Sequence, residues 1–374
     1  MKKYLLFTLL IFAMCVARAQ KLTQPPSGDN EKSTITQWIG PVSVTINYSS
    51  PDVHGQNGED RTGHIWGELV PYGFTDQGFG SSKAAPWRAG ANENTTITFS
   101  HDVTIEGQAL KAGTYGLFLA TDKDGPWTWI FSKNSTSWGS FFYDQKEDAL
   151  RVSVKPQEAP YTEWLTYGFE DRKPTTTQAY LQWENKKITF KIGVPSVNDL
   201  YLAKIREELR NAQGFDYRNW MMAAQFCIQN KVNLEEGLTW AEAAISLPFI
   251  GKEEFATLLT KANVLDALGK NAEAETIMAK AIKLPSTSVM DIHQYGRSLQ
   301  AAGKKEKAFE VFKLNRQMHP DDKFTTYVGL ARGYTAMDDK KNAIKNWELA
   351  IKNIPEDQKR NLTFYEGELK KLKG

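Results

Sequence analysis

VSVTINYS, Val42 to Ser49, alternates strictly: Val42, Val44, Ile46 and Tyr48 fall on one side, with Ser43, Thr45, Asn47 and Ser49 on the other. Successive side chains of an extended chain point to opposite faces, so a period of two predicts a strand with one buried and one wetted face. The alternation recurs along Ile97, Phe99, Val103 and Ile105, along Tyr115, Leu117 and Leu119, and along Trp127, Trp129 and Phe131. Val152 with Val154, then Ile188, Phe190 and Ile192, carry it to about Val194. Glu106-Gly107, Lys123-Asp124-Gly125-Pro126 and Glu184-Asn185-Lys186 supply turn chemistry between the apolar runs. Short strands without intervening helices predict an antiparallel β-sandwich or jelly-roll-like domain over residues 34–194.

After Pro195 the period changes. Leu200, Leu202, Ile205 and Leu209 recur at helical spacing, which predicts a linker helix over 196–213 with Ser196 able to cap its start. Beyond it the chain repeats: Ala274, Ala308 and Ala343 each have a large apolar residue four positions on, Met278, Phe312 and Trp347, and each unit closes near a proline, at Pro285, Pro320 and Pro355. A looser copy holds Trp220, Ala224, Trp240, Ala243 and Pro248, and Asp338 stands where Gly303 marks the turn of the preceding unit. Units of about 34 residues with small residues where paired helices touch resemble the tetratricopeptide repeat, expected here over 215–358. The whole reads as an α+β multidomain chain, a β-sandwich followed by an α-helical solenoid whose exposed face would recruit a protein partner.

The 374 residues suffice for two such domains. Lys+Arg 46 against Asp+Glu 44 leaves a net charge of +2, and no basic run gathers enough charge to track a phosphate backbone, so nucleic acid is not an expected partner. MKKYLLFTLLIFAMCVARAQ combines two lysines, an apolar run and Ala17-Arg18-Ala19, the pattern of an export signal over residues 1–19 cleaved after Ala19. The apolar run is too short to span a bilayer, so no transmembrane segment is expected after cleavage and the location expected is periplasmic or secreted. Cleavage removes Cys15 and leaves Cys227 without a disulfide partner, in a helical apolar run where it reads as a small buried hydrophobe.

Two stretches gather polar groups in the β-half. PDVHGQNGEDRTGH brings Asp52, His54, Glu59, Asp60, Arg61 and His64 into a Gly-rich loop. His54, His64 and Asp60 are weak metal candidates, because zinc motifs place histidines three to five residues apart or on one helical face and these do neither. No metal and no cofactor are expected. PWRAGANENTT, Pro86 to Thr96, offers Trp87 as an apolar plane, Arg88 as a fork of donors, Asn92 as donor and acceptor and Glu93 as acceptor, the mixture of a sugar or carboxylate site. The same residues also make a structural corner, with Gly90 and Asn92 permitting the turn and Arg88 pairing with Glu93 over Trp87. Ser100-His101-Asp102 reads as a bend with a locally bonded imidazole, and His293 and His319 read as surface positions on repeat helices.

LVPYG at 69–73, WRAGANENTTITFS at 87–100, LKAGTYGLF at 110–118 and WTWIFSKN at 127–134 resemble the exported bacterial domain-of-unknown-function family 2911. The resemblance covers roughly Thr34 to Val194; Trp87, Arg88, Gly90, Ala91, Asn92, Glu93, Gly113, Thr114 and Tyr115 match by motif. It implies an exported β-rich domain and brings no activity. This chain carries FTDQGFGSSKAAP between Gly73 and Trp87, longer than the link in many relatives, and that insertion would form the lip of a pocket or close it. No Gly-x-Ser-x-Gly elbow, His-Glu-x-x-His or phosphate-cradling loop occurs, so catalytic residues cannot be named. The expectation is a non-enzymatic binding protein, its β-domain taking a glycan or small polar ligand through Trp87, Arg88, Asn92, Glu93 and Tyr115. The alternative is an exported hydrolase of envelope glycans, with Glu93 or the Asp60 region supplying a carboxylate.

Overall fold

A computed structural model describes residues 30–55 and 58–374. The segment read as an export signal lies outside the described residues. The chain divides into two compact units, Met1–Tyr201 and Leu202–Gly374. The first holds antiparallel sheets and the second helices.

The first unit contains β1 (Glu31–Ile39), β2 (Val42–Ser50), β3 (Thr96–Phe99), β4 (Val103–Ile105), β5 (Gln108–Leu110), β6 (Gly113–Ala120), β7 (Trp127–Ser132), β8 (Asp148–Val154), β9 (Gln157–Lys173) and β10 (Thr176–Gly193). One sheet runs β1-β2-β3-β6-β7-β8 and the other β5-β4-β10-β9. Every pairing is antiparallel, as alternation with one wetted face requires. In β2 the four predicted positions, Val42, Val44, Ile46 and Tyr48, are all buried. Rings from the two sheets interlock: Trp129 and Phe131 of β7 meet Phe190 of β10 at 5.1 and 5.5 Å, and Tyr48 meets Tyr167 of β9 at 4.8 Å. Each such side chain removed from water contributes about 1.5–3 kcal/mol, so this shared core carries the fold without a disulfide.

Two turns behave differently. Glu106-Gly107 closes the β4–β5 hairpin with both residues in the left-handed region, the geometry that matches strand twist in a two-residue loop. Glu184-Asn185-Lys186 does not separate two strands; it is a bulge inside the single long β10. Two register shifts against β9 flank Glu184, which sits at φ 50° while its carboxylate accepts the Gly63 N–H at 2.5 Å. The bulge flips parity, so Ala179, Leu181 and Trp183 before it and Ile188, Phe190 and Ile192 after it all face the core. Ser100 and His101 form the bend by which the chain leaves β3 in one sheet and enters β4 in the other, with Ser100 Oγ 2.9 Å from His101 Nδ1.

Ten helices follow, α1 (Val197–Glu208), α2 (Tyr217–Asn230), α3 (Leu234–Ser246), α4 (Phe255–Ala267), α5 (Asn271–Ala281), α6 (Val289–Ala301), α7 (Lys305–Met318), α8 (Thr325–Ala336), α9 (Lys340–Lys352) and α10 (Leu362–Lys373). The division between units falls inside α1. From α4 onward the helices pair as α4/α5, α6/α7 and α8/α9, and the residues turning each pair, Gly269, Gly303 and Asp338, all have positive φ. Asp338 at 59° therefore does the work of the glycine it stands for, and Asp339 beside it caps α9 by accepting the Asn342 N–H. Ala274, Ala308, Ala343, Met278, Phe312 and Trp347 are all buried.

Phe312 fixes how three helices approach. A Cβ on Gly296 of α6 would lie 2.4 Å from the Phe312 ring, and one on Gly329 of α8 would lie 2.8 Å from it. The ring is seated between two glycines. His293 joins this packing at 5.6 Å from Phe312 and is buried, not at the surface; burial, then Arg332 and Arg297, push its pKa down to about 4. Helical spacing alone could not place it, since one residue's rotation about the axis separates the wetted face from the packed one. Cys227 is buried as read, and burial raises its thiol to about 11. Gly296→Ala is expected to lower stability by about 1–3 kcal/mol through the clash with Phe312. Gly367→Ala, which meets nothing within 4 Å in α10, should instead be neutral or gain up to about 1 kcal/mol. Urea unfolding of both variants checks the contrast.

Candidate functional site

The stretch from Trp87 to Asn94 is a corner tied down at nearly every residue. Trp87 exchanges backbone hydrogen bonds with Leu119 of β6 at 3.1 and 2.9 Å, and Ala91 N–H donates to the Ser49 carbonyl of β2. Ala89 and Asn92 both have positive φ. The carbonyl that the Ala89 geometry turns inward accepts two hydroxyls, Thr95 at 3.1 Å and Tyr167 at 2.8 Å. Two left-handed residues three apart reverse the chain sharply, and those bonds hold it there.

This corner forms one wall of a cleft of about 450 Å³, within the size range of small-molecule sites. Trp87, Arg88 and Asn92 line it. Trp183 of β10 lies beneath Trp87, the two rings stacked at 6.1 Å and 18°, and Trp66 meets both rings edge-on at 5.8 and 6.0 Å. The opposite side carries Leu69, Val70 and Pro71, then Thr75 and Gln77 from the inserted segment. Thr75 pairs with Ala85 across that segment, so the insertion borders the cleft and leaves it open.

Arg88 does not pair with Glu93. Its Nη1 donates to the Asn92 carbonyl, its guanidinium lies 5.1 Å from the Phe141 ring centroid, and Gly139 makes the room: a Cβ there would stand 2.2 Å from Arg88 Cζ. Burial holds the guanidinium's pKa below its ordinary value. Glu93 bonds Lys32 of β1 and lies 3.4 Å from Ser49 Oγ, away from the cleft, because the reversal at Asn92 sends the next side chain to the outer face. Asn92 accepts from Asn30 through its side-chain oxygen. Tyr115 is also outside: it is buried in β6, donates to the Lys111 carbonyl at 2.9 Å, and burial raises its pKa. Sequence reading missed Trp183, Arg61 and Ser140 as lining residues. Trp183 continues the alternation of the buried Ala179 and Leu181 in β10, and Ser140 lies in a loop beside Gly139, which has φ 63°.

The histidine loop resolves into separate pairs. His54 Nδ1 lies 2.9 Å from Glu163, whose carboxylate also accepts the His54 and Val53 N–H groups and the Tyr161 hydroxyl, while His54 Nε2 stands 3.5 Å from Asp60. His64 pairs with Glu68 instead, and Asp60 accepts from Thr62. His54, His64 and Asp60 do not converge as a ligand set, and among the described residues no group of three or more His, Cys, Asp or Glu is placed to hold a metal ion. Glu163, distant in sequence, organises this cluster.

Residues 30–192 match the model of the family described as "Protein of unknown function (DUF2911)". Similar solved structures include "MamA RS-1 ArsTM double mutant" and "MamA 41-end from Desulfovibrio magneticus RS-1", each 19% identical with a TM-score of 0.27. Each covers 42% of this chain, with 94% and 93% of its own length, a likeness too low to carry an argument. No curated protein matches the chain. Among the described residues no helix is long and apolar enough to cross a membrane.

The Glu163 cluster makes a prediction of definite sign. Its hydrogen bonds, opposed by desolvation, hold Glu163 near 2, and the bond to Glu163 raises His54 above 6.5. The stabilisation from His54 is therefore full below 6.5 and lost as pH rises through its raised pKa; that from Glu163 is full above 4.5 and lost as pH falls toward 2. NMR titration should find the His54 ring above 6.5 in the native chain and moved down toward that value in Glu163→Gln.

Proposed function

We propose that this is an exported, non-catalytic binding protein of the periplasm or extracellular space. Its β-unit takes a small polar ligand in the Trp87 cleft, and its helical unit, a tetratricopeptide-like array, recruits a protein. One observation carries the first part: the cleft is lined by aromatic planes, amides, hydroxyls and guanidinium groups, with no carboxylate, imidazole or thiol among the described residues that line it. Such a surface recognises, but it lacks a side-chain acid–base pair. Hydrolysis of a glycosidic bond needs two carboxyl groups about 5–10 Å apart across the substrate. Glu93 faces elsewhere and Asp60 is held in the histidine loop, so nothing in the cleft favours the hydrolase reading.

Repeated helix pairs turned by Gly269, Gly303 and Asp338 support the second part, together with exposed apolar side chains on that unit, Met222, Met290 and Phe364 among them. Contacts of this kind bury apolar surface on association.

Because Trp87, Trp183 and Trp66 sit at or beneath the cleft, a bound ligand should shift tryptophan emission of the full chain in a panel of small sugars and organic acids. Trp87→Ala should weaken that binding at least tenfold, while Glu93→Gln should change it less than twofold. A tenfold loss in Glu93→Gln would restore the hydrolase reading. For the array, a photo-crosslinker replacing Met290 should give one discrete adduct in cells, on a chain whose isolated form begins at Gln20. A ladder of adducts, or a retained leader, would count against the corresponding part.

A further inference from the structure

We propose that the cleft selects a small monocarboxylate, its carboxylate held by the Arg88 guanidinium and the Ser140 hydroxyl and its body lying against Trp87. This rests on the reading of the cleft as the binding site and adds the charge and chemistry of what enters.

Arg88 is charged at every accessible pH and half-buried, yet no carboxylate among the described residues lies within 4.0 Å of it. The nearest in sequence, Glu93, is taken by Lys32. Nη1 is used on the Asn92 carbonyl, while Nε and Nη2, the edge that forms a two-pronged bond with a carboxylate, meet no acceptor among the described residues. A second donor lines the same cleft. It is Ser140, next to the Gly139 that makes room for the guanidinium; its side chain is fully buried and its hydroxyl meets no hydrogen-bond partner among the described residues. A buried hydroxyl left unbonded is destabilising, so an acceptor that reaches it gains more than one meeting a solvated hydroxyl.

The charge on the ligand follows from the other guanidinium. Arg61 also lines the cleft, but Glu59 at 2.6 Å and Asp52 at 3.7 Å already more than balance it. Arg88 is therefore the guanidinium of the cleft that has no carboxylate partner among the described residues. A monoanion neutralises it, whereas a phosphate monoester dianion would leave a negative charge in a partly desolvated place. Trp87, backed by Trp183, offers the ligand's body a flat apolar face that suits a sugar ring or an aromatic ring equally.

Calorimetry on the full chain at low ionic strength tests this with galacturonate and benzoate against galactose and methyl benzoate, and with methyl phosphate as the dianion. At least one carboxylate should bind tenfold or more tightly than its neutral counterpart; which one does so separates a sugar acid from an aromatic acid. Arg88→Gln should abolish that preference. Ser140→Ala, which removes only a hydroxyl without a partner among the described residues, should cost three- to tenfold for the carboxylate and less for the neutral probe. Equal binding of charged and neutral probes, tighter binding of methyl phosphate, or an unchanged carboxylate affinity in Ser140→Ala overturns the proposal, the last deciding even where Arg88→Gln fails to fold. Galactose or methyl benzoate bound without preference for charge would sink the carboxylate and keep the cleft as a binding site; no heat and no emission change with any probe would sink both.

Discussion

One backbone oxygen holds the β-unit's corner in place. The Ala89 carbonyl accepts the Thr95 hydroxyl, at the entrance to β3 in one sheet, and the Tyr167 hydroxyl, from β9 in the other. It can do so only because Ala89 adopts a positive φ, a conformation that costs an alanine roughly 1–2 kcal/mol and persists only where neighbours over-determine it. The two buried hydroxyls that donate to the carbonyl supply that determination. From this bolt follow the direction of Arg88 into the cleft, the position of Trp87 on β6 and Trp183, and the reversal at Asn92 that removes Glu93 from the scene.

The alternation in Val42–Ser49 was sufficient to read the sandwich because a strand's period is fixed by its backbone geometry, whatever the strand packs against. The bulge at Glu184 was not legible. Glu-Asn-Lys is good turn chemistry, and only the distant Gly63 N–H, which captures the Glu184 carboxylate, marks a local kink in place of a chain reversal. In the helices the repeat was legible from small residues, down to Asp338 substituting for a glycine. The burial of His293 was not, because it depends on which way α6 is rotated, and that is set by the Phe312 ring between Gly296 and Gly329.

The site shows the same division. Trp87, Arg88 and Asn92 are adjacent in a stretch dense in polar and aromatic groups, and all three line the cleft. Glu93, from the same stretch, and Tyr115, from the Gly113-Thr114-Tyr115 motif, lie outside the cleft, because strand alternation and the left-handed turn put neighbours in sequence on opposite faces. Ser140, Arg61 and Trp183 arrive from three other segments, and nothing in the local sequence of any of them announces a shared cleft. Proximity in sequence is a fair guide to who builds a turn and a poor guide to who lines a cavity.

The two polar clusters of the β-unit differ in one respect that decides their roles. Around His54 every charge has an opposite neighbour: Glu163 collects four donors, Arg61 has Glu59 and Asp52, and His64 has Glu68. Such a cluster is internally satisfied, so its removal would be felt in stability and its presence asks for no ligand. Arg88 is the reverse case. A neutral glutamine could donate to the Asn92 carbonyl and keep the corner without desolvating a permanent charge, whereas an arginine seated over Phe141 with an open donor edge carries that penalty in the free protein. A penalty borne in the free state is recovered only in a state where an anion completes the pair, and that asymmetry, more than the arginine itself, distinguishes a binding cleft from a corner.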